Sequence, residues 1–157
     1  MKVELKNIKY AAFASEETHC FEASLYINGK PRGTVSNEGH GGSDRFSDWQ
    51  AEDELNTYAK NHLPPRMYEW DGQTHAFNQT AESIVQDLLN AHLARKQLQR
   101  IMRDKVVYVD GGKVWQTTSI KNADTRADYI TLRKREGKTV LNTLPIDEAV
   151  KIFREVA

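Results

Sequence analysis

FEASLYINGKPRGTVSNEGHGGSDRF, residues 21–46, reads as two antiparallel strands and the loop they deliver. Phe21, Ala23, Leu25 and Ile27 recur at every second position and share one face of a strand, while Glu22, Ser24, Tyr26 and Asn28 take the other. Asn28-Gly29 supplies the positive backbone angles of a two-residue hairpin turn. A strand over 31–36 returns from that turn into a polar, glycine-rich loop, 37–44. Upstream, 3–14 reads as a further strand whose apolar positions change phase, from Val3 and Leu5 to Ile8, Tyr10 and Ala12. A bulge near Lys6 and Asn7 accounts for the shift, and the three strands make a meander.

Downstream the rhythm changes to a helical one. Ser47 or Asp48 can cap a helix reaching Asn61, with Trp49, Leu55 and Tyr58 as expected core contacts, and Pro64-Pro65 blocks its continuation. Residues 66–74 read as an ordered loop. Thr80 opens a long helix to about Asp104, with Ile84, Leu88, Ala91, Leu98, Ile101 and Met102 at helical spacing. Val106–Val109 and Val114–Thr118 flank Asp110-Gly111-Gly112-Lys113, a second hairpin signal. Ile130–Arg133 and Thr139–Leu141 are expected as strands around Glu136-Gly137. Pro145 then suits the first position of a closing helix that turns Ala149, Val150, Ile152 and Phe153 inward. The expected class is α+β: an N-terminal antiparallel three-stranded meander, a long central helix, a C-terminal hairpin and a short closing helix. At 157 residues this fits a single domain, with the meander and loop in 1–46, a helical segment in 47–105 and the hairpin with its helix in 106–157.

Basic and acidic side chains balance at 22 each, so global charge favours no partner, but their distribution is uneven. Residues 1–94 carry 8 basic and 14 acidic groups, hence −6, and residues 95–157 carry 14 and 8, hence +6. Such asymmetry suggests an electrical dipole or attraction to a second copy, so a homo-oligomer is expected. A lone Cys20 leaves no internal disulfide and suits a reducing cytoplasm. No stretch has the apolar length of a signal peptide or membrane span, so a cytoplasmic protein with no membrane partner is expected.

The loop is the one segment whose composition core packing does not demand. Asn37, Gly39, His40, Gly41, Gly42, Ser43 and Arg45 could hold a phosphate or carboxylate through backbone amides and side-chain donors ahead of a helix. The pattern is neither a Walker loop nor a dinucleotide fingerprint, and glycine-rich turns more often serve geometry than ligands. Five histidines, His19, His40, His62, His75 and His92, lack the spacing of a helical zinc site, so no metal or cofactor is assigned. Cys20 sits mid-strand with nothing local to activate it. Asp44, Asp48, Glu52 and Asp53 read first as a solvated acidic helix face. A basic patch of Arg95, Lys96, Arg100, Arg103, Arg133, Lys134 and Arg135 could grip phosphates, although cations near a helix C-terminus also stabilise its dipole. Tyr68, Trp70 and Trp115 could stack on a base.

SEETHCFEASLYINGKPRGTVSNEGHGG (residues 15–42) and VLNTLPIDEAVKIF (residues 140–153) resemble small accessory proteins of tailed bacteriophages and prophages. The resemblance implies a phage protein acting in the bacterial cytoplasm, often to blunt host defence. No constellation of catalytic residues is legible, so the leading expectation is a binder without turnover that sequesters a nucleotide-like ligand or blocks a host defence protein. Two alternatives remain open: a metal-dependent phosphoester hydrolase using His40 with Asp44 or Asp48, and direct nucleic-acid binding.

Overall fold

In the computed structural model, which describes residues 1–157, the alternation of the opening segment becomes a four-stranded antiparallel sheet in the order β1-β2-β3-β4. Its strands are β1 (Val3–Tyr10), β2 (Cys20–Ile27), β3 (Lys30–Glu38) and β4 (Arg45–Phe46). The expected meander is present, and β4 adds a short fourth strand. Asn28 and Gly29 both take positive φ, 51° and 76°, as the two-residue turn demands. In β1 the register slips between Lys6 and Lys9 where Asn7 has φ 52°, so the phase change read in the sequence is a bulge.

Contacts gather into two compact units, Met1–Leu89 and Asn90–Ala157. No charged residue lies between 90 and 94, so the units carry the same −6 and +6 as the two sequence halves. In the first, Leu25 and Ile27 of β2 pack with Ala51 and Leu55 of α1 (Trp49–His62) and with Ala81, the first residue of α2 (Ala81–Ile101). Burying each such leucine contributes about 2 kcal/mol, enough to fix which face of the sheet is covered. Asp48 caps α1 by accepting from the amides of Gln50 and Ala51. Trp49, expected in the core, is instead 71 % exposed: one residue past the cap, it precedes the buried stripe Ala51, Leu55, Ala59.

Between α1 and α2 lies a correction to the expected loop at 66–74. Residues Arg66–Trp70 and Gln73–Phe77 are strands β5 and β6, joined by Asp71-Gly72 with φ 52° and 69°. The helix α2 opens with a reciprocal cap, Ser83 N–H donating to Thr80 Oγ1 and Thr80 N–H to Ser83 Oγ. Its fully buried positions in the first unit are Ala81, Val85 and Leu89, one step round from the expected Ile84 and Leu88, which are half-buried.

The second unit builds on the hairpin expected around Asp110–Lys113. Strands β7 (Val107–Asp110), β8 (Lys113–Gln116) and β9 (Thr139–Val140) form a sheet in the order β8-β7-β9. Leu98, Val107, Leu141, Ala149, Val150 and Phe153 make the core, the last three from α4 (Ile146–Val156), for which Pro145 is the N-cap. A strand over Ile130–Arg133 does not form. These residues lie in α3 (Ala123–Arg135), capped by Asn122 accepting from the Thr125 amide. Gly137, at φ 76°, closes it in a Schellman turn, with Gly137 N–H on the Lys134 carbonyl and Lys138 N–H on that of Arg133. The helix buries no residue fully, which is why apolar periodicity could not announce it. No helix is long and apolar enough to cross a membrane.

Candidate functional site

The glycine-rich loop is held from within. Buried Asn37 uses its whole amide: Oδ1 accepts from the Thr18 hydroxyl at 2.7 Å and the Gly39 amide at 2.9 Å, and Nδ2 donates to the Gly42 carbonyl at 3.2 Å and Asp44 Oδ1 at 3.1 Å. The Asp44 carboxylate, also buried, accepts from Gln86 Nε2 at 2.8 and 3.1 Å. Gly39 is packed so closely that a Cβ would stand 2.1 Å from the Ala14 carbonyl oxygen. Its own carbonyl accepts from the amides of Glu16 and Glu17 at 3.0 Å.

These bonds occupy groups that an anion would need. The Gly39 amide is given to Asn37, the Gly41 amide to Thr18 Oγ1 and the Asp44 amide to Glu82 Oε1. The α1 N-terminus is already filled by the Asp48 carboxylate, whose pKa is held below its ordinary range chiefly by the Arg32 guanidinium at 2.9 Å. Beside the loop opens a cleft of about 530 Å³ walled by Glu16, Glu17, Glu82, Tyr10 and His19, with Asn37, Asp44 and Gln86 also lining it. Its carboxylates repel a phosphate. His40, paired with Glu16 at 3.2 Å, and Arg45, paired with Glu38 at 3.2 Å, stay exposed, as do Gly42 and Ser43. Exposed pairs contribute little, so His40→Ala combined with Arg45→Ala is expected to shift the thermal midpoint by no more than about 3 °C, read by circular dichroism.

No three or more His, Cys, Asp or Glu side chains gather as a metal ion would require. Of the residues weighed for hydrolysis, Asp44 is bound to neutral amides and Asp48 to Arg32 and a helix cap, while His40 faces Glu16. In the second unit, burial and the neighbouring Lys96 and Arg95 push the His92 pKa below its ordinary value.

Four exposed large apolar side chains, Met67, Tyr68, Trp70 and Phe77, gather on the β5-β6 hairpin, which forms a two-stranded sheet of its own. Tyr68 lies directly opposite His75, so Tyr68, Trp70, His75 and Phe77 share one face. The Trp70 and His75 rings stack at 3.5 Å, and Phe77 stands 5.6 Å from Trp70 and 5.8 Å from Tyr68. Even so, Met67, Tyr68, Trp70 and Phe77 remain 43–59 % exposed. Asp71-Gly72 between alternating aromatic residues was the available signal for this hairpin.

The basic residues divide by role. Arg95 pairs with Asp147. Arg133 lies inside a knot, its guanidinium 5.0 Å over the Tyr108 ring and 4.6 Å over that of Tyr129, bonded to Tyr129 Oη and to Glu136 Oε2 at 2.7 Å. Lys138 joins this knot through Asp110 and Glu136. Lys96, Arg100, Arg103, Lys134 and Arg135 are exposed. No spacing rule connects Tyr108 with Arg133, so the knot has no signature in the sequence. Comparison with protein-family models, curated proteins and solved structures finds no match.

Proposed function

We propose that the protein is a non-enzymatic binder, of the phage accessory kind its sequence resembles, that occludes a host polypeptide in the bacterial cytoplasm through the β5-β6 hairpin. The observation that carries this reading is the exposed aromatic face on a hairpin whose two strands are both edges. A two-stranded hairpin is marginal in water, and exposed clusters of aromatics and methionine are characteristic of interface cores. Free edges offer unpaired backbone groups, so an extended segment of the host polypeptide adds as a third strand and lays alternate apolar side chains on Tyr68, Trp70 and Phe77. Glu69 and Asp71 outnumber the hairpin's one cation, Arg66, within a unit of charge −6, and favour a segment carrying Lys or Arg beside its apolar residues.

The polypeptide branch is favoured over nucleotide sequestration because the Gly39, Gly41 and Asp44 amides are given to the chain's own side chains and the adjoining cleft is acidic. Native mass spectrometry of protein purified from a bacterial host, followed by calorimetric titration of any retained polypeptide in pure form, tests it. Trp70→Ala with Phe77→Ala is expected to weaken that affinity at least about tenfold, because truncating buried aromatic anchors is costly. Unchanged affinity, a retained nucleotide, or a mass showing only copies of this chain would each overturn the assignment.

A further inference from the structure

We infer that the second unit carries a surface for single-stranded nucleic acid, with Trp115 as a stacking platform and the C-terminal turn of α3 as the phosphate contact. Trp115 is 50 % exposed, and its Nε1–H donates to the Asp110 carbonyl at 3.3 Å, which fixes the ring orientation without covering it. It lies directly across the sheet from Tyr108, so both side chains stand on one face, and Lys113 shares that face two residues away. The Tyr108 ring receives the Arg133 guanidinium at 5.0 Å. This stacking anchors the last turn of α3 beside the aromatic pair, with Lys134 and Arg135 next in the chain and exposed. The face of the sheet on which Arg133 stacks therefore presents an oriented indole and exposed Lys113, with Asp110 opposite Lys113 and paired to Lys138, while Lys134 and Arg135 follow Arg133 as exposed cations that can meet phosphates.

Charge points the same way. The unit's +6 attracts a polyanion, whereas the −6 of residues 1–89 does not compete for it. A single strand fits better than a duplex because its unpaired bases can leave their neighbours and stack on an indole, while a duplex hides its ring faces. The cations near the C-terminus of α3 also serve its dipole, but dipole compensation gives no reason for an exposed, oriented tryptophan beside them.

The experiment is fluorescence anisotropy of the full chain with labelled oligo-dT and oligo-U over a salt series, using circular dichroism to verify each variant. Binding is expected to weaken linearly with log salt. Lys134→Ala with Arg135→Ala should flatten the slope by about 1.4, since each phosphate contact on a single strand contributes about 0.7. Trp115→Ala should cost about tenfold at unchanged slope, and Trp115→Phe should restore most of it, a split that a purely structural tryptophan would not produce. Trp70→Ala with Phe77→Ala should leave this binding intact, so the surface stands or falls separately from the hairpin. Absence of binding at low salt, indifference to the Trp115 and Lys134/Arg135 changes, or equal affinity for a duplex or for anionic vesicles would overturn it.

Discussion

Gly39→Ala lowers the unfolding free energy by about 3–5 kcal/mol, placing it among the most damaging single changes in the chain. Two costs combine. At φ 88° an L side chain is strained by about 1–3 kcal/mol, whatever surrounds it. The added methyl would also stand 2.1 Å from the Ala14 carbonyl oxygen and 2.9 Å from Cys20 Cβ, and backbone cannot yield as the end of a long side chain can. Relief requires the loop to move, and moving it breaks the bonds from the Glu16 and Glu17 amides to the Gly39 carbonyl. Urea denaturation measures the loss. Gly42→Ala is the internal comparison: φ is 82°, yet nothing lies within 4 Å of its Cβ, so only the conformational strain of about 1–3 kcal/mol is expected. Equal effects at the two positions would show that packing against Ala14 is not what the glycine is for.

That contrast also bears on what was legible in the sequence. The glycines of 37–44 announced a loop of unusual backbone, and the structure has one, but composition cannot say whether a positive φ opens amides to a ligand or closes them on the chain itself. Only the positions of Thr18, Ala14 and Glu82, far away in sequence, decide that. Local signals worked where chemistry is local: Asn28-Gly29 fixed a turn, the phase change at Asn7 fixed a bulge, and Asp48 fixed a helix start. They failed where an element is held by long-range polar contacts. α3 has no buried face, and its C-terminal turn is tied down by Arg133 between Tyr108 and Tyr129, so its periodicity resembled nothing and Ile130–Arg133 passed for a strand. The aromatic hairpin was missed for a related reason. Its apolar residues face solvent on a two-stranded sheet of its own, so no core-facing alternation marks the segment as strand.

Asn37→Ala is expected to cost about 2–4 kcal/mol, because it strips partners from several buried groups at once rather than removing one bond. The Gly39 amide and the Thr18 hydroxyl lose their acceptor, and the Gly42 carbonyl and the Asp44 carboxylate lose a donor. Gln86 alone then remains to hold Asp44 among side chains, which leaves a buried charge with half its support. Volume and hydrogen bonding separate in a second variant. Asn37→Asp keeps the shape and both acceptor bonds, but replaces the donor 3.1 Å from Asp44 Oδ1 with a second carboxylate. At neutral pH the two negative charges repel. Protonation of either restores a donor between them, so the folded variant takes up a proton more readily than its unfolded chain. Its deficit relative to the parent protein should therefore shrink as the pH falls from neutral toward the carboxylate range, whereas that of Asn37→Ala should change much less. Urea midpoints at several pH values distinguish the two. Parallel pH profiles for both variants would mean that Asn37 fills space beside Asp44 without its amide holding the carboxylate.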